Sequence, residues 1–74
     1  GIGKVELVVK PDVDDARIET LARAQIADEW GEIHYKLAHI QHVHSGPIPF
    51  RSEHGESLGE MDVKIYLVAF RLLH

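Results

Sequence analysis

The chain has 74 residues, of which 45% are apolar and 27% charged, so it holds one domain at most and its composition argues against disorder. Eight basic residues against twelve acidic ones give a formal net charge of −4, and we therefore expect no nucleic-acid binding through a basic face. The absence of cysteine excludes disulfides, thiolate zinc sites and cysteine nucleophiles within this chain.

The first predicted elements are a strand over residues 4–10 and a helix over residues 14–29. The strand shows period two, with Val5, Leu7 and Val9 on one face, and Pro11 ends it. Acidic residues precede the helix and are predicted to cap its N-terminal end, and Gly31 is predicted to cap its C-terminal end. Helical spacing places four residues on one apolar stripe: Ile18, Leu21, Ala22 and Ile26.

Two further strands are predicted, over residues 32–44 and 61–73. In the first of them the alternation falters after Leu37, which indicates a bulge or a change of the neighbouring strand. Residues 45–60 contain Pro47, Pro49 and three glycines and are predicted to form a long loop. The last strand is apolar on both faces near its end, so we expect it to be central or covered on both sides.

This order predicts a single domain over residues 1–74, an α+β fold of the β-α-β-β type. We expect a three-stranded, mainly antiparallel sheet with one helix packed on one face. A strand of about 12 residues spans roughly 40 Å, whereas a helix of about 16 residues spans roughly 24 Å. The helix cannot cover the whole ribbon, so we expect a homo-oligomer in which another copy buries the uncovered end. The apolar residues expected at that end are Ile40, Val43, Phe70 and Leu72.

The sequence also indicates where the protein works. No apolar run approaches the roughly 18 residues of a membrane span, and no basic stretch followed by an apolar one marks a secretory signal. Together with the lack of cysteine, these observations predict a cytoplasmic protein without membrane contact.

Six histidines are the most conspicuous polar feature, and His39, His42 and His44 lie within six residues. On a regular strand His42 and His44 point to the same side and both reach one metal, zinc or another transition metal. The third ligand is drawn from three candidates: His34, His54 or Glu53. Two alternatives stay open: histidines that are solvated or bonded to carbonyl oxygens at a subunit contact, and a catalytic base without metal.

Trp30 is the only tryptophan and follows the predicted helix directly. An indole at this position is either an anchor in the core or at an interface, or a platform on which a planar ligand stacks.

Three segments resemble the dodecin family of small flavin-binding proteins. They are residues 4–8 (KVELV), 30–33 (WGEI) and 68–72 (VAFRL). The resemblance implies a hollow homo-oligomer that stores a planar ligand of flavin type between tryptophans, without enzymatic activity. By this likeness Trp30 is the stacking residue. Gln41 is predicted as a second cofactor-binding residue. The glutamine that dodecins place early in their last strand falls near Val63 here.

A second likeness involves residues 59–65, where Gly59, Glu60, Val63 and Ile65 are similar to the middle of the large subunit of molybdopterin synthase. The chemistry of that family relies on lysines further along, to which no residue here corresponds. The dodecin likeness is therefore preferred. For the function, ligand storage is the first possibility, a histidine metal site the second and an assembly module without ligand the third.

Overall fold

The computed structural model describes residues 1–73 and shows an α+β fold with the order β-α-β-β. The elements are β1 (Ile2–Val9), a 3-10 turn (Asp15–Arg17), α1 (Ile18–Trp30), β2 (Tyr35–Arg51) and β3 (Ser57–Leu72). The open sheet is antiparallel with the order β1-β3-β2, so β3 is its central strand. The predicted fold class and the central position of the last strand are confirmed.

The core lies between α1 and one face of the sheet. Alternate residues of β1 and β3 meet the predicted helical stripe, in which Ala22 and Ile26 are fully buried. Because Ala22 has only a methyl group, α1 approaches the sheet closely at this point. The buried sheet residues of this core are Val5, Leu7, Val9, Tyr66, Val68 and Phe70.

Gly3 makes room for the largest fully buried side chain, Phe70, which is its partner in the β1–β3 ladder. A Cβ atom on Gly3 would overlap the Phe70 ring. The ring therefore lies directly over the backbone of β1, at the end of the sheet where α1 ends.

The two ends of the helix differ in how they are capped. Gly31 has a positive φ of 75°, and its N–H donates to the Ala27 carbonyl at 3.0 Å, which confirms the predicted C-cap. The predicted side-chain capping by the acidic residues is wrong: Asp14 precedes the 3-10 turn without a side-chain hydrogen bond. Its backbone carbonyl instead accepts from Arg17 N–H at 2.9 Å. Acidic residues in the first turns still favour the positive end of the helix dipole.

The predicted loop over residues 45–60 is wrong, because β2 and β3 continue through most of it and only residues 52–56 connect them. Pro47 and Pro49 favoured the loop prediction. The pairing of β2 with β3 continues through both prolines, because their ring nitrogens, which cannot donate, face the outer edge of β2, where no strand pairs in this sheet. Ser52 closes the turn by donating its N–H to the Glu56 carbonyl at 2.9 Å.

β2 carries the predicted bulge and a second one. Its register with β3 shifts between Leu37 and His39 and between His42 and His44, where β2 has an extra residue, and also between Phe50 and Arg51, where the extra residue is Leu58 of β3. Each extra residue in β2 moves the residues after it to the other face of the strand. Side-chain direction along β2 therefore follows its partners on β3 and not simple alternation.

The sheet face turned away from α1, here called the open face, carries a row of apolar residues without cover from this chain. Val8, Phe50, Met61 and Leu67 are each 43–46% exposed. Their partners in the ladders assign them to this face: Val8 to Ile65, Phe50 to Gly59, Met61 to Ile48 and Leu67 to Gln41.

The uncovered end of the ribbon is not the predicted one. Ile40, Phe70 and Leu72 pack in or against the core, and only Val43 among the four predicted residues is largely exposed, at 45%. The uncovered end is the hairpin formed by residues 46–51 and 57–63, here called the arm, because β1 pairs with β3 only as far as Lys64. The mismatch in length persists, since α1 spans roughly 20 Å and the longest dimension of the molecule is 44 Å.

Candidate functional site

Trp30 is the last residue of α1, and its ring contacts the buried end of the sheet. The indole meets Phe70 edge-on, with ring centroids 5.2 Å apart and an angle of 85°. Tyr35 meets Phe70 similarly at 5.3 Å, and the Arg23 guanidinium lies 5.7 Å from the centre of the Tyr35 ring. These rings form an aromatic cluster of Trp30, Tyr35 and Phe70.

The geometry bears on both interpretations of Trp30. Its contact with fully buried Phe70 is that of an anchor that closes the end of the core. Yet 41% of the residue is exposed, so part of the indole is free for a further contact. Trp30 is thus a fixed aromatic group with one side packed and another open.

Gln41 does not share a site with Trp30. It pairs with Leu67 on the open face, whereas Trp30 and Phe70 lie on the helix side of the sheet. Gln41 lines a concavity of about 220 Å³ together with Lys4, His39 and Leu67. Within one chain the two predicted ligand-binding residues are separated by the sheet, so only different copies could bring them to one ligand.

The H-x-H pair does not point to one side as predicted, because the second bulge of β2 lies between its members. His42 pairs with Tyr66 on the helix side, and His44 pairs with Ile65 on the open face. The His42 ring stacks on Tyr66 at 4.9 Å. Its Nε2 lies 2.9 Å from the His44 carbonyl oxygen and 2.8 Å from Ser45 Oγ. The two imidazoles therefore do not share a side of the sheet.

The predicted metal ligands are not assembled. Within residues 1–73, no three side chains of His, Cys, Asp or Glu are grouped so as to hold a metal ion. His34 precedes β2, and its carbonyl accepts a backbone hydrogen bond from Leu73 N–H at 2.9 Å. His74 lies outside the described residues. Within residues 1–73, the Nε2 of His44 is buried without a hydrogen-bond partner, but two further ligands are not grouped with it, so a histidine metal site stays a prediction.

A second concavity, which is more open to solvent than the first, was missed by sequence reasoning. It lies between the N-terminal end of α1 and the helix side of the β2–β3 ribbon and has a volume of about 400 Å³. Its lining residues are Asp15, Ile18, Glu19, Ile40, His42 and Tyr66, and we call it the N-terminal cleft. The acidic residues were interpreted only as helix caps, and nothing local in the sequence links them to Tyr66.

Comparison with known proteins adds no relative: no family model, curated protein or solved structure matches the chain significantly. The resemblance to dodecins therefore stays a prediction. Among residues 1–73 no helix has both the length and the apolar character needed to cross a membrane.

Proposed function

We propose that this protein is a non-enzymatic binding or storage protein, which stacks a small planar ligand of flavin type on Trp30 within a homo-oligomer. The observation that carries the proposal is the position of Trp30, held edge-on by buried Phe70 while 41% of the residue stays exposed. A stacking platform needs a ring whose orientation is fixed before the ligand arrives, since ordering it later would cost affinity.

The surroundings of Trp30 support this role. Gly31 ends the helix immediately after it, so the backbone that carries the indole is fixed by a C-cap hydrogen bond. Phe70 in turn is held against Gly3. The indole is thus supported by an α-helix on one side and by the central strand on the other.

A single copy of the chain gives a planar ligand only one aromatic face. Small-molecule sites commonly bury 70–90% of the ligand surface, and Trp30 alone leaves the opposite ligand face in water. A second copy that brings its own Trp30 to that face would complete the enclosure. The proposed site therefore depends on self-association.

The shape of the chain supports self-association independently. Its accessible surface is 5584 Å², whereas a compact monomer of 8.4 kDa exposes roughly 4,600 Å². Its radius of gyration is 14.1 Å, against roughly 11 Å for a compact chain of this length. The accessible surface thus exceeds that of a compact monomer by about 1,000 Å² per copy. This excess is close to the area that each partner buries in a stable interface.

The location of the exposed apolar residues indicates where copies meet. The open face presents Val8, Phe50, Met61 and Leu67, each more than 40% exposed, along the full length of the ribbon. Several exposed apolar residues on one face of a small chain are typical of an interface. We infer that the open face packs against other copies, while Trp30 lies at a separate contact at the other end of the sheet from the arm.

Titration of the protein with riboflavin tests the proposal, because emission from the only tryptophan reports on the stacking ring itself. We expect quenching of both tryptophan and flavin fluorescence. Trp30→Ala should weaken binding by roughly 5- to 100-fold, the range that loss of one stacking aromatic gives. Trp30→Phe should retain part of the affinity. For Trp30→Ala the affinity is measured from flavin emission.

Leu58→Ala is the matched control, since Leu58 is an exposed apolar residue on the arm and distant from the aromatic cluster. It should bind as the parent chain does. Circular dichroism shows whether each variant is folded. Equal affinity of the parent chain and folded Trp30→Ala would reject Trp30 as the platform, and an oligomer that binds no riboflavin would favour an assembly module.

A further inference from the structure

The arm has a free strand edge on the side of β3 that β1 occupies in the rest of the sheet. β1 ends at Val9, whose partner on β3 is Lys64. The chain then turns at Pro11, which cannot donate to a ladder. The segment of β3 that belongs to the arm, residues 57–63, therefore pairs with β2 alone. We call its unpaired side the arm edge.

The direction of the main-chain groups along β3 is fixed by the hydrogen bonds at its C-terminal end. Leu72 N–H donates to the Gly1 carbonyl on the β1 side at 3.0 Å, and Leu73 N–H donates to the His34 carbonyl on the β2 side at 2.9 Å. The ladder with β2 has no extra residue in β3 from Gly59 onwards. Since these groups alternate in direction along a strand, even-numbered residues of β3 face the side of β1 and odd-numbered ones face β2.

This alternation directs the main-chain N–H and C=O groups of Glu60 and Asp62 to the arm edge. The prolines lead to the same result independently, because Pro49 and Pro47 are the β2 partners of these two residues and have no N–H to exchange with them. Among residues 1–73, no backbone hydrogen bond outside the ladders involves Glu60 or Asp62. Two donors and two acceptors thus face solvent along one edge, the arrangement to which extended peptides add as a further strand.

The side chains along the arm edge differ between the two faces of the sheet. Glu60 and Asp62 share the helix side with Lys64, because the side-chain period of a strand is two. Met61 lies between them on the open face and is 43% exposed. A strand added here places its side chains opposite these residues on the same faces. It therefore meets carboxylates on one face and apolar surface on the other.

The other charges near the arm edge leave it acidic. Lys64 Nζ donates to the Val13 carbonyl at 2.8 Å, which brings Asp12 and Asp14 to the end of the edge next to β1. Lys10 and Lys64 carry the positive charges of this region. They are outnumbered by the two aspartates of the turn and the two carboxylates of the edge.

These charges also oppose pairing of two arm edges. If two copies joined edge to edge around a two-fold axis, Glu60 and Asp62 of one copy would lie opposite the same two residues of the other. Like charges directly opposite each other destabilise an antiparallel pair. The occupant of the arm edge is therefore a strand of different charge and not a second arm.

We propose that the arm edge binds an extended peptide segment of another protein, in which basic residues alternate with apolar ones. The segment runs antiparallel to β3, in line with β1, and exchanges main-chain hydrogen bonds with Glu60 and Asp62. Its basic side chains lie opposite the two carboxylates, and its apolar side chains extend the open face beside Met61. The main-chain bonds hold any strand, whereas the charges select this one.

Amide hydrogen exchange tests the free edge before a peptide is added. The N–H groups of Met61 and Val63 face β2 and should exchange slowly, whereas those of Glu60 and Asp62 should exchange faster. Slow exchange at Glu60 and Asp62 in the parent chain alone would overturn the proposal, because it would show that another copy already occupies the edge.

The probe is the capped pentapeptide Val-Lys-Val-Lys-Val, titrated by two-dimensional amide NMR. We expect shifts confined to residues 58–64 and slower exchange at Glu60 and Asp62. N-methylation of both peptide lysines removes the N–H groups that face β3 and should weaken binding at least about tenfold. N-methylation of the central valine removes an N–H that faces away and should change the affinity by less than about twofold. Equal binding of the two methylated peptides would overturn the proposal, since it would show charge attraction without strand pairing.

Two variants test the charge recognition. Glu60→Gln/Asp62→Asn keeps the main-chain edge and should bind the peptide at least about fivefold more weakly, since two cross-strand charge pairs are lost. Asp28→Asn/Glu32→Gln removes the same charge from exposed positions on either side of Trp30 and should bind as the parent chain does. Equal affinity of the two variants would overturn the proposal, as would equal binding of Val-Glu-Val-Glu-Val. Trp30→Ala should retain peptide binding, so this test is independent of the flavin proposal.

Discussion

Leu67 lies near the middle of the open face, where it pairs with Glu6 of β1 and Gln41 of β2. It is 43% exposed in the single chain. If the open face packs against other copies, Leu67 is covered in the assembly, and Leu67→Lys introduces a charge at the centre of that contact. We expect this variant to dissociate the homo-oligomer while each chain keeps its fold.

The size of the effect follows from the exposed fraction. Full burial of a leucine side chain stabilises by roughly 1.5–3 kcal/mol, so covering the 43% still exposed contributes about 1 kcal/mol per copy. Leu67→Ala should therefore weaken association by about fivefold. Lysine adds the cost of removing an ammonium from water, which is several kcal/mol after relaxation. Leu67→Lys should weaken association by at least about a hundredfold.

Sedimentation velocity at micromolar concentrations measures the assembly, and small-angle scattering measures the dimensions of the dissociated chain. Leu58→Lys is the control: Leu58 is more exposed, at 58%, but it adjoins Gly59 and does not belong to the open face. The scattering of Leu67→Lys should give a radius of gyration near the 14.1 Å of the extended chain. A parent chain that sediments as a monomer, or a Leu67→Lys assembly equal to that of the parent, would refute the role of the open face.

The remaining predictions concern the fold that holds both proposed sites. Gly3→Ala should lower the free energy of unfolding by about 1–3 kcal/mol, since the new methyl group overlaps the ring of Phe70. Urea unfolding measures this change, and Gly1→Ala is the control, because a Cβ atom added there makes only an ordinary contact. Equal stability of the two variants would contradict the packing of Phe70 on Gly3. Ile26→Ala should cost about 2–5 kcal/mol because this fully buried side chain leaves a cavity under α1; a loss below about 1 kcal/mol would show that the helix repacks onto the sheet.

The elements with one clear period were predictable from sequence. Val5, Leu7 and Val9 alternate, and the stripe of Ile18, Ala22 and Ile26 repeats at helical spacing, so both patterns identify the buried face directly. Gly31 was predictable for the same reason, since a cap depends on the adjacent helical turn alone.

The hairpin was not predictable, because its prolines and glycines indicate a loop unless the position of β2 at the sheet edge is already known. The faces of His42 and His44 depend on a bulge between them, and the sequence indicated only the earlier one, after Leu37. The N-terminal cleft joins Asp15 to Tyr66 across some fifty residues of chain, and such contacts follow from the tertiary fold and leave no local pattern.

Pro47 and Pro49 also restrict how copies of the chain can join. An outer strand with free N–H groups invites another strand to extend the sheet without limit, which leads to fibres. Two missing donors along the far half of β2 prevent such growth on that side. Contacts through the open face are then the remaining route for this half of the molecule, and a two-fold symmetric contact of that kind is complete with two copies, so it does not grow into a polymer.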